Sequence, residues 1–184
     1  MGDLIYSSIQ SLDGFNADDN GNFNWAAPDE EVHSFVNELL RPVGTYLYGR
    51  RMYEIMVYWE TGGESSEIER EFAGIWRSAD KIVYSRTLDH TSSARTRIER
   101  GFDPDAVRAL KDSSAKDLAV GGPHLAAQAL AAHLVDELQL FVCPVLVGAG
   151  NRALPIRTLI SVQLTEQRTF GNGTIFLRYE TVHS

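Results

Sequence analysis

The sequence predicts an α/β fold, a mostly parallel central sheet with an antiparallel C-terminal edge, and three observations predict it. Strand-like apolar runs alternate with helix-period segments over most of the chain, the pattern of strands joined by helical crossovers. The last two apolar runs, SVQLTEQRTFG and GTIFLRYE, follow one another with no helix between them, which makes an antiparallel hairpin at one edge. Across 184 residues there is no repeat, linker or low-complexity tract, so residues 1–184 read as one domain.

The elements follow in order. DLIYSSI, from Asp3, opens as a strand, and SLDGFNADDNGNFNW, from Ser11 to Trp25, reads as a long loop rich in Gly, Asn and Asp. A loop of that length without structure of its own is uncommon in a compact domain and is more often functional than idle. Pro28 suits a first helical position, and Asp29, Glu30 and Glu31 oppose the positive end of a helix dipole. Val32, Phe35, Val36, Leu39 and Leu40 then recur at helical spacing on one face. VGTYLYG is the next strand and RRMYEIMVYW a short helix. Ser66 and Glu69 form a capping box ahead of Ile68, Phe72, Ile75 and Trp76. KIVYS and the more polar ARTRIER are further strands. Asp103 caps a helix with Pro104 first and Val107 and Leu110 inward. DLAVGG leads as a strand into the alanine-rich helix PHLAAQALAAHLV, and DELQLFVCPVLVG reads as one long strand before the closing hairpin.

Composition narrows the function. The net charge of −8 argues against a nucleic-acid binder with a broad basic face, but a few local arginines can still hold a small anion. Cys143 is the only cysteine, so an intramolecular disulfide and a thiol-rich zinc site are excluded, and a reducing cytoplasm is the expected setting. The N-terminus lacks the basic and long apolar regions of a signal peptide, and the most apolar window is too short and broken to span a bilayer. His33, His90, His124, His133 and His183 lack metal-ligand spacing, and no metal is expected. No H-x-E with P-C-x-x-C, no G-x-S-x-G and no Walker A occurs, which removes the zinc deaminase, serine hydrolase and P-loop readings.

Open α/β sheets bind ligands beyond the carboxyl ends of their strands. Three strand-to-helix junctions carry unusual residues there: YGRRMYE with Gly49, Arg50 and Arg51; VYSRT with Ser85 and Arg86; and AVGGPH with Gly121, Gly122 and Pro123. Glycine lets a backbone approach a ligand, and free N–H groups at a helix start suit a phosphate. A dinucleotide diphosphate with arginines for a further phosphate is the natural reading, and Ser85 and Arg86 would suit the 2′-phosphate that separates NADPH from NADH. Taken singly, each signal is more often ordinary turn chemistry or solvated surface; their order and spacing together favour function. Met52, Met56, Tyr58 and Trp59 read as core filling, and Cys143 as buried and inert.

Together the stretches SLDGFNA, NW..PDEE, LYGRRMYE, VYSRTL, VGGPHLAAQAL, LVDELQLFVCPVLVGAG and TFGNGTIFLRYE resemble the dihydrofolate reductase-like fold over nearly the whole chain. The similarity is greatest to the reductase domain of the bifunctional riboflavin-biosynthesis deaminase-reductase. The resemblance implies a three-layer fold binding NADPH, with Gly49, Arg50 and Arg51 beside its phosphates and Arg50 or Arg51 on the 2′-phosphate. It implies Ser85 and Arg86 around that same phosphate, and Gly121, Gly122 and Pro123 under the diphosphate. It matches the loop from Leu12 to Trp25 to the family's mobile loop, with the backbone of Asn16 and Ala17 facing the nicotinamide. It implies hydride transfer to a small heterocycle or ribosylamino-pyrimidine, of the 5-amino-6-(5-phosphoribosylamino)uracil class, by a homodimer in which FVCPVLVG is either a shared face or a buried central strand.

Two departures stand out. Pro123 takes the place of a third glycine, which removes one N–H from the cradle. The acid that supports protonation in folate reducers has Glu30 as its nearest match, although Glu30 also suits a helix start electrostatically. Asp13 in SLDG either pins the loop or faces the substrate. Folate reduction proper, with Glu30 buried beside the substrate, and a nucleotide-binding module without catalysis remain the alternatives.

Overall fold

The structure is a computed structural model that describes residues 1–62 and 65–182; His183 lies outside the described residues. An eight-stranded sheet has the order β5-β4-β3-β6-β1-β7-β10-β9. Its parallel body comprises β1 (Leu4–Ser11), β3 (Val43–Gly49), β4 (Asp80–Tyr84), β5 (Thr96–Glu99), β6 (Asp117–Gly121) and β7 (Glu137–Cys143). The antiparallel edge is the hairpin of β9 (Val162–Thr169) and β10 (Ile175–Thr181), with β10 on β7.

Strand alternation builds the layers. In β3, Leu47 packs on one side with Val107 of α5 (Pro104–Ser113) and Leu125 and Leu130 of α6 (Pro123–Ala131). Its neighbours Tyr46 and Tyr48 pack on the other side with Phe72 and Trp76 of α4 (Glu67–Ser78). On that same side Val32 and Phe35 of α1 (Glu30–Leu40) close a third cluster on Phe141, Phe170 and Phe176. The sheet is therefore sandwiched between two helical layers, because successive residues of a strand point to opposite faces. The Ser66–Glu69 capping box and the Asp103 cap on α5, with Pro104 first, form as the sequence predicts.

Five elements differ from expectation. The long loop holds β2 (Phe15–Asp18) and a single 3₁₀ turn at Asn24–Ala26, because β2 pairs with β8 (Gly150–Arg152), far along the chain. In α1 the N-cap is Asp29, whose carboxylate accepts the Val32 N–H, so Pro28 precedes the cap instead of opening the helix. RRMYEIMVYW divides at Val57 into α2 (Arg50–Met56) and α3 (Tyr58–Thr61). Helix α6 stops at Ala131; His133 takes a left-handed φ of 55° and turns Leu134 and Val135 into the core. Strand β7 ends at Cys143, since Pro144 has no N–H to continue a ladder. Flanked by β1 and β10, with Phe141 and Cys143 buried, it is an interior strand.

Candidate functional site

The three junctions converge at the carboxyl edge of β4, β3 and β6, which lie side by side. Gly49 is in register with Tyr84, and Tyr48 with Gly121. Parallel pairing thus brings positions 49, 84–86 and 121–123 to one edge, although some 70 residues of sequence separate the first from the last. Gly122 has φ 96° and ψ 130°, a conformation open essentially to glycine alone, and caps α6 with Pro123 behind it. At Gly121 a Cβ would stand 2.5 Å from Cε1 of the buried Tyr48 ring, so glycine is required there by packing. At Gly49 a Cβ would meet nothing within 4 Å, and the space beyond it is open.

The arginines differ in their attachments. Arg50 donates from Nε to Glu54 (2.7 Å) and from Nη1 to Thr87 Oγ1 (2.8 Å), which ties α2 to the loop after β4. Exposed Arg51 reaches toward the β2 loop, its Nη2 lying 3.9 Å from where a Cβ on Gly21 would stand. Arg86 is exposed beside Ser85. The Ser85 side chain is buried: its hydroxyl accepts the N–H groups of Thr87 (3.3 Å) and Leu88 (3.0 Å), so it shapes the turn that carries Arg86. Arg100, which sequence reasoning passed over in a weakly patterned strand, clamps that turn by donating to the carbonyls of Ser85 (3.1 Å) and Leu88 (2.7 Å).

Asn16 and Ala17 lie on β2. The side-chain oxygen of Asn16 accepts from Asn151 (2.9 Å), and Ala17 pairs with Asn151. Asp13 ties two segments together. Its carboxylate accepts the Ser11 hydroxyl (2.6 Å), the Val147 N–H (3.1 Å) and the Gly148 N–H (2.7 Å). The Ser11 hydroxyl, followed by these backbone donors, lowers its pKa to about 2. A carboxylate so held is ionised at neutral pH. Of the two alternatives, these bonds are those of a pin between the β1–β2 turn and the segment after β7.

A separate cavity of about 170 Å³ opens at the carboxyl ends of β1 and β7. Ile9, Trp25, Val32, Cys143, Asn172 and Thr174 contribute to its wall. Trp25 keeps a buried indole N–H with no acceptor among the described residues. Burial pushes the Cys143 thiol up from its ordinary pKa, opposed by a hydrogen bond with Thr174. Strand β1 is adjacent to β6, so this cavity stands one strand from the Gly121–Gly122 turn. Glu30 does not line it; its side chain is exposed, and the first turn of α1 offers Val32 to the cavity instead. The expectation of Glu30 buried beside a substrate is therefore corrected, and the reason is the helix start: with Asp29 as cap, the residue facing inward is Val32.

The structure thus gathers Gly49, Arg50, Ser85, Arg86, Gly121, Gly122 and Pro123 on one edge, keeps Asn16 and Ala17 on the neighbouring β2, and leaves Asp13 and Glu30 outside the cavity. Sequence reasoning did not assign Trp25, Asn172, Cys143 or Thr174 to a site. Their signal was present only as the conspicuous stretches NW..PDEE and TFGNGTIF, which say nothing of which side chains meet. Among the described residues no group of three or more His, Cys, Asp or Glu side chains is placed to hold a metal. No helix among them is long and apolar enough to cross a membrane.

Comparison with known proteins places this geometry. The sequence model of the RibD C-terminal domain matches residues 3–176. The uncharacterised protein YyaP of Bacillus subtilis (strain 168) is 28% identical over 178 residues, covering 96% of this chain and 93% of YyaP. Among solved structures, a pyrimidine reductase-like protein from Corynebacterium diphtheriae superposes with a TM-score of 0.71 at 16% identity, over 100% of this chain and 93% of that one. Dihydrofolate reductase from Enterococcus faecalis, complexed with NADP(H), superposes with a TM-score of 0.66 at 14% identity, over 98% of this chain and 96% of that one. With its mostly parallel sheet, its antiparallel C-terminal hairpin and its match over nearly the whole length, the chain belongs to the reductase-like RibD C-terminal domain family and carries the dihydrofolate reductase-like fold.

Proposed function

We propose that the protein is an NADPH-dependent reductase acting on a small heterocycle of the pyrimidine type. The observation that carries this reading is adjacency: a glycine-bearing, arginine-flanked edge on β4, β3 and β6 stands one strand from a cavity at β1 and β7 lined by no charged residue. The residues fit a dinucleotide. Gly122 turns through a conformation that keeps side chains away, and the side of Gly49 is open. In α6 the N–H groups of His124 and Leu125 precede the first internal helix bond, from Ala126 to Gly122. These groups would take the diphosphate, and Arg86 with Arg50 or Arg51 would take the 2′-phosphate. The backbone of Asn16 and Ala17 would border the nicotinamide end.

When bound, NADPH supplies a hydride for a polarised C=N or C=O bond. The protein's own part is to orient the ring and exclude water: Ile9, Val32 and the Trp25 side chain contribute to the wall. Neither Asp13 nor Glu30 serves as a proton source, so the proton is assigned to solvent. Folate reduction is the weaker reading, because the carboxylate it needs beside the substrate is exposed at Glu30. The homodimer implied by the family resemblance is proposed to use the exposed edge strand β9, where Val162 and Leu164 face solvent; sedimentation of the protein as a monomer would refute it.

The deciding experiment is calorimetric titration with NADPH, followed by NADPH oxidation against pterins, pyrimidines and small carbonyl compounds. Tight binding with turnover of a single-ring compound supports the reductase. Absence of NADPH binding overturns the reading, and binding with silence across the panel leaves a nucleotide-binding module in its place.

A further inference from the structure

Strand β5 is the outermost strand beside the arginine-bearing edge, and the arginines in and around it do different things. Arg95 pairs with Asp80 (2.9 Å) and Arg97 with Glu99 (3.1 Å), exposed ion pairs of the kind that contribute little. Arg100 instead serves backbone. A single nitrogen, Nη1, donates to two carbonyls, those of Ser85 (3.1 Å) and Leu88 (2.7 Å). Register puts it there: Tyr84 stands opposite Glu99, so the residue just past β5 lies beside the residue just past β4. The ladder runs one bond further, from the Ser85 N–H to the Glu99 carbonyl (2.9 Å).

The Ser85–Leu88 turn is thus closed from two sides. From within, the Ser85 hydroxyl accepts the N–H groups of Thr87 and Leu88; from outside, Arg100 takes the carbonyls of the turn's first and fourth residues. Arg86 and Thr87 lie between these bonds, and Thr87 Oγ1 accepts from Arg50 Nη1 (2.8 Å). Arg86 on the turn and Arg50 on α2 therefore have their spacing set through one four-residue segment. From this we infer that Arg100 is a positioning residue that sets the preference for NADPH over NADH, by holding the turn on which Arg86 and Arg50 meet the 2′-phosphate together. The inference rests on the reading above that this edge takes NADPH. The physical reason is preorganisation: a turn already ordered in the free protein spares the phosphate the entropy cost of ordering it on binding. NADH lacks that phosphate, and its diphosphate is assigned to the turn at Gly121 and Gly122, so it has little to lose when the clamp is removed.

The test measures NADPH and NADH affinities by calorimetry in Arg100→Met, in Arg86→Ala and in the double variant. Arg100→Met should weaken NADPH about tenfold and NADH by no more than about twofold. In the Arg86→Ala background the same change should cost NADPH no more than about threefold, because most of what the clamp positions is already gone. Unchanged NADPH affinity in Arg100→Met would overturn the inference. Equal losses for NADPH and NADH would overturn it too, since they mark a purely structural role. So would an undiminished loss in the Arg86→Ala background, which would mean that Arg100 acts through its own charge. Where circular dichroism shows Arg100→Met unfolded, Arg100→Lys takes its place: it keeps the charge without the planar fork, and should still narrow the NADPH preference about threefold. An unchanged preference in that variant would overturn the inference. Failure of the unaltered protein to bind NADPH would instead overturn the underlying reductase reading, so the two failures are distinguishable.

Discussion

The strand edge at β4, β3 and β6 and the cavity at β1 and β7 lie side by side on one sheet, yet they are built in opposite ways. The edge is written locally. Each junction is a short run of sequence, GRR, SR or GGP, and parallel pairing only aligns them. The cavity is written nowhere in particular, since its wall takes residues from β1, the 3₁₀ turn, α1, β7 and the β9–β10 turn. The edge is cationic and open; the cavity is lined by no charged residue. On the proposed function the contrast is a division of labour: charge and backbone at the open edge would suit a large anionic cofactor, while the shape of the cavity would suit a small ring.

The strongest way to break that contrast is to remove the charge from the edge alone. Each charged hydrogen bond contributes about 1.5–3 kcal/mol, so Arg50→Ala with Arg86→Ala should weaken NADPH relative to NADH by about a hundredfold or more at low salt. The paired affinities would be measured by calorimetry, and unchanged discrimination would show that the phosphate sits elsewhere. Next in size is a packing change. Gly121→Ala drives a Cβ to within 2.5 Å of a Tyr48 ring that is buried and accepts a hydrogen bond from Trp76 Nε1 (3.2 Å). That ring cannot retreat freely, and a loss of about 1–3 kcal/mol is expected in urea unfolding, together with weaker NADPH binding.

A third test addresses the pin between the two regions. The pKa of Asp13 is depressed from 3.8 to about 2, so its ionised form favours the folded state. Its contribution is complete above the unfolded-state pKa and is lost as pH falls from about 4 through about 2. Asp13→Asn should therefore flatten acid unfolding across that window while lowering stability at neutral pH; an unaltered acid profile would contradict the pin. The smallest effect is expected at Glu30, which is exposed and outside the cavity. Glu30→Gln should keep turnover of a small ring within about twofold, as surface changes usually do. A large loss would restore it as the proton-delivering acid.

Legibility followed the same division. The alternation of strands and helices, the Ser66–Glu69 and Asp103 caps and the closing hairpin are all local patterns, and all formed as read. The loop from Ser11 to Trp25 was misread as structureless because β2 exists only through its pairing with β8, and no local signal announces a partner so distant in sequence. The long strand from Asp136 was read through Pro144 because its apolar residues continue, yet the missing N–H ends the ladder at Cys143. The surroundings of Asp13 and Glu30 were not legible for a related reason: the residue types were noticed, but what they touch comes from other elements.

The sequence by itself determined the α/β class, the glycine turns and the cationic junctions, because backbone conformation, capping and charge are properties of a few adjacent residues. Only the tertiary structure decided that Asp13 is a pin, that Val32 rather than Glu30 faces the cavity, and that Trp25, Cys143 and Thr174 share its wall. The physical reason is that burial and hydrogen-bond partners are set by packing among elements far apart in the chain, and a side chain's chemistry depends on them.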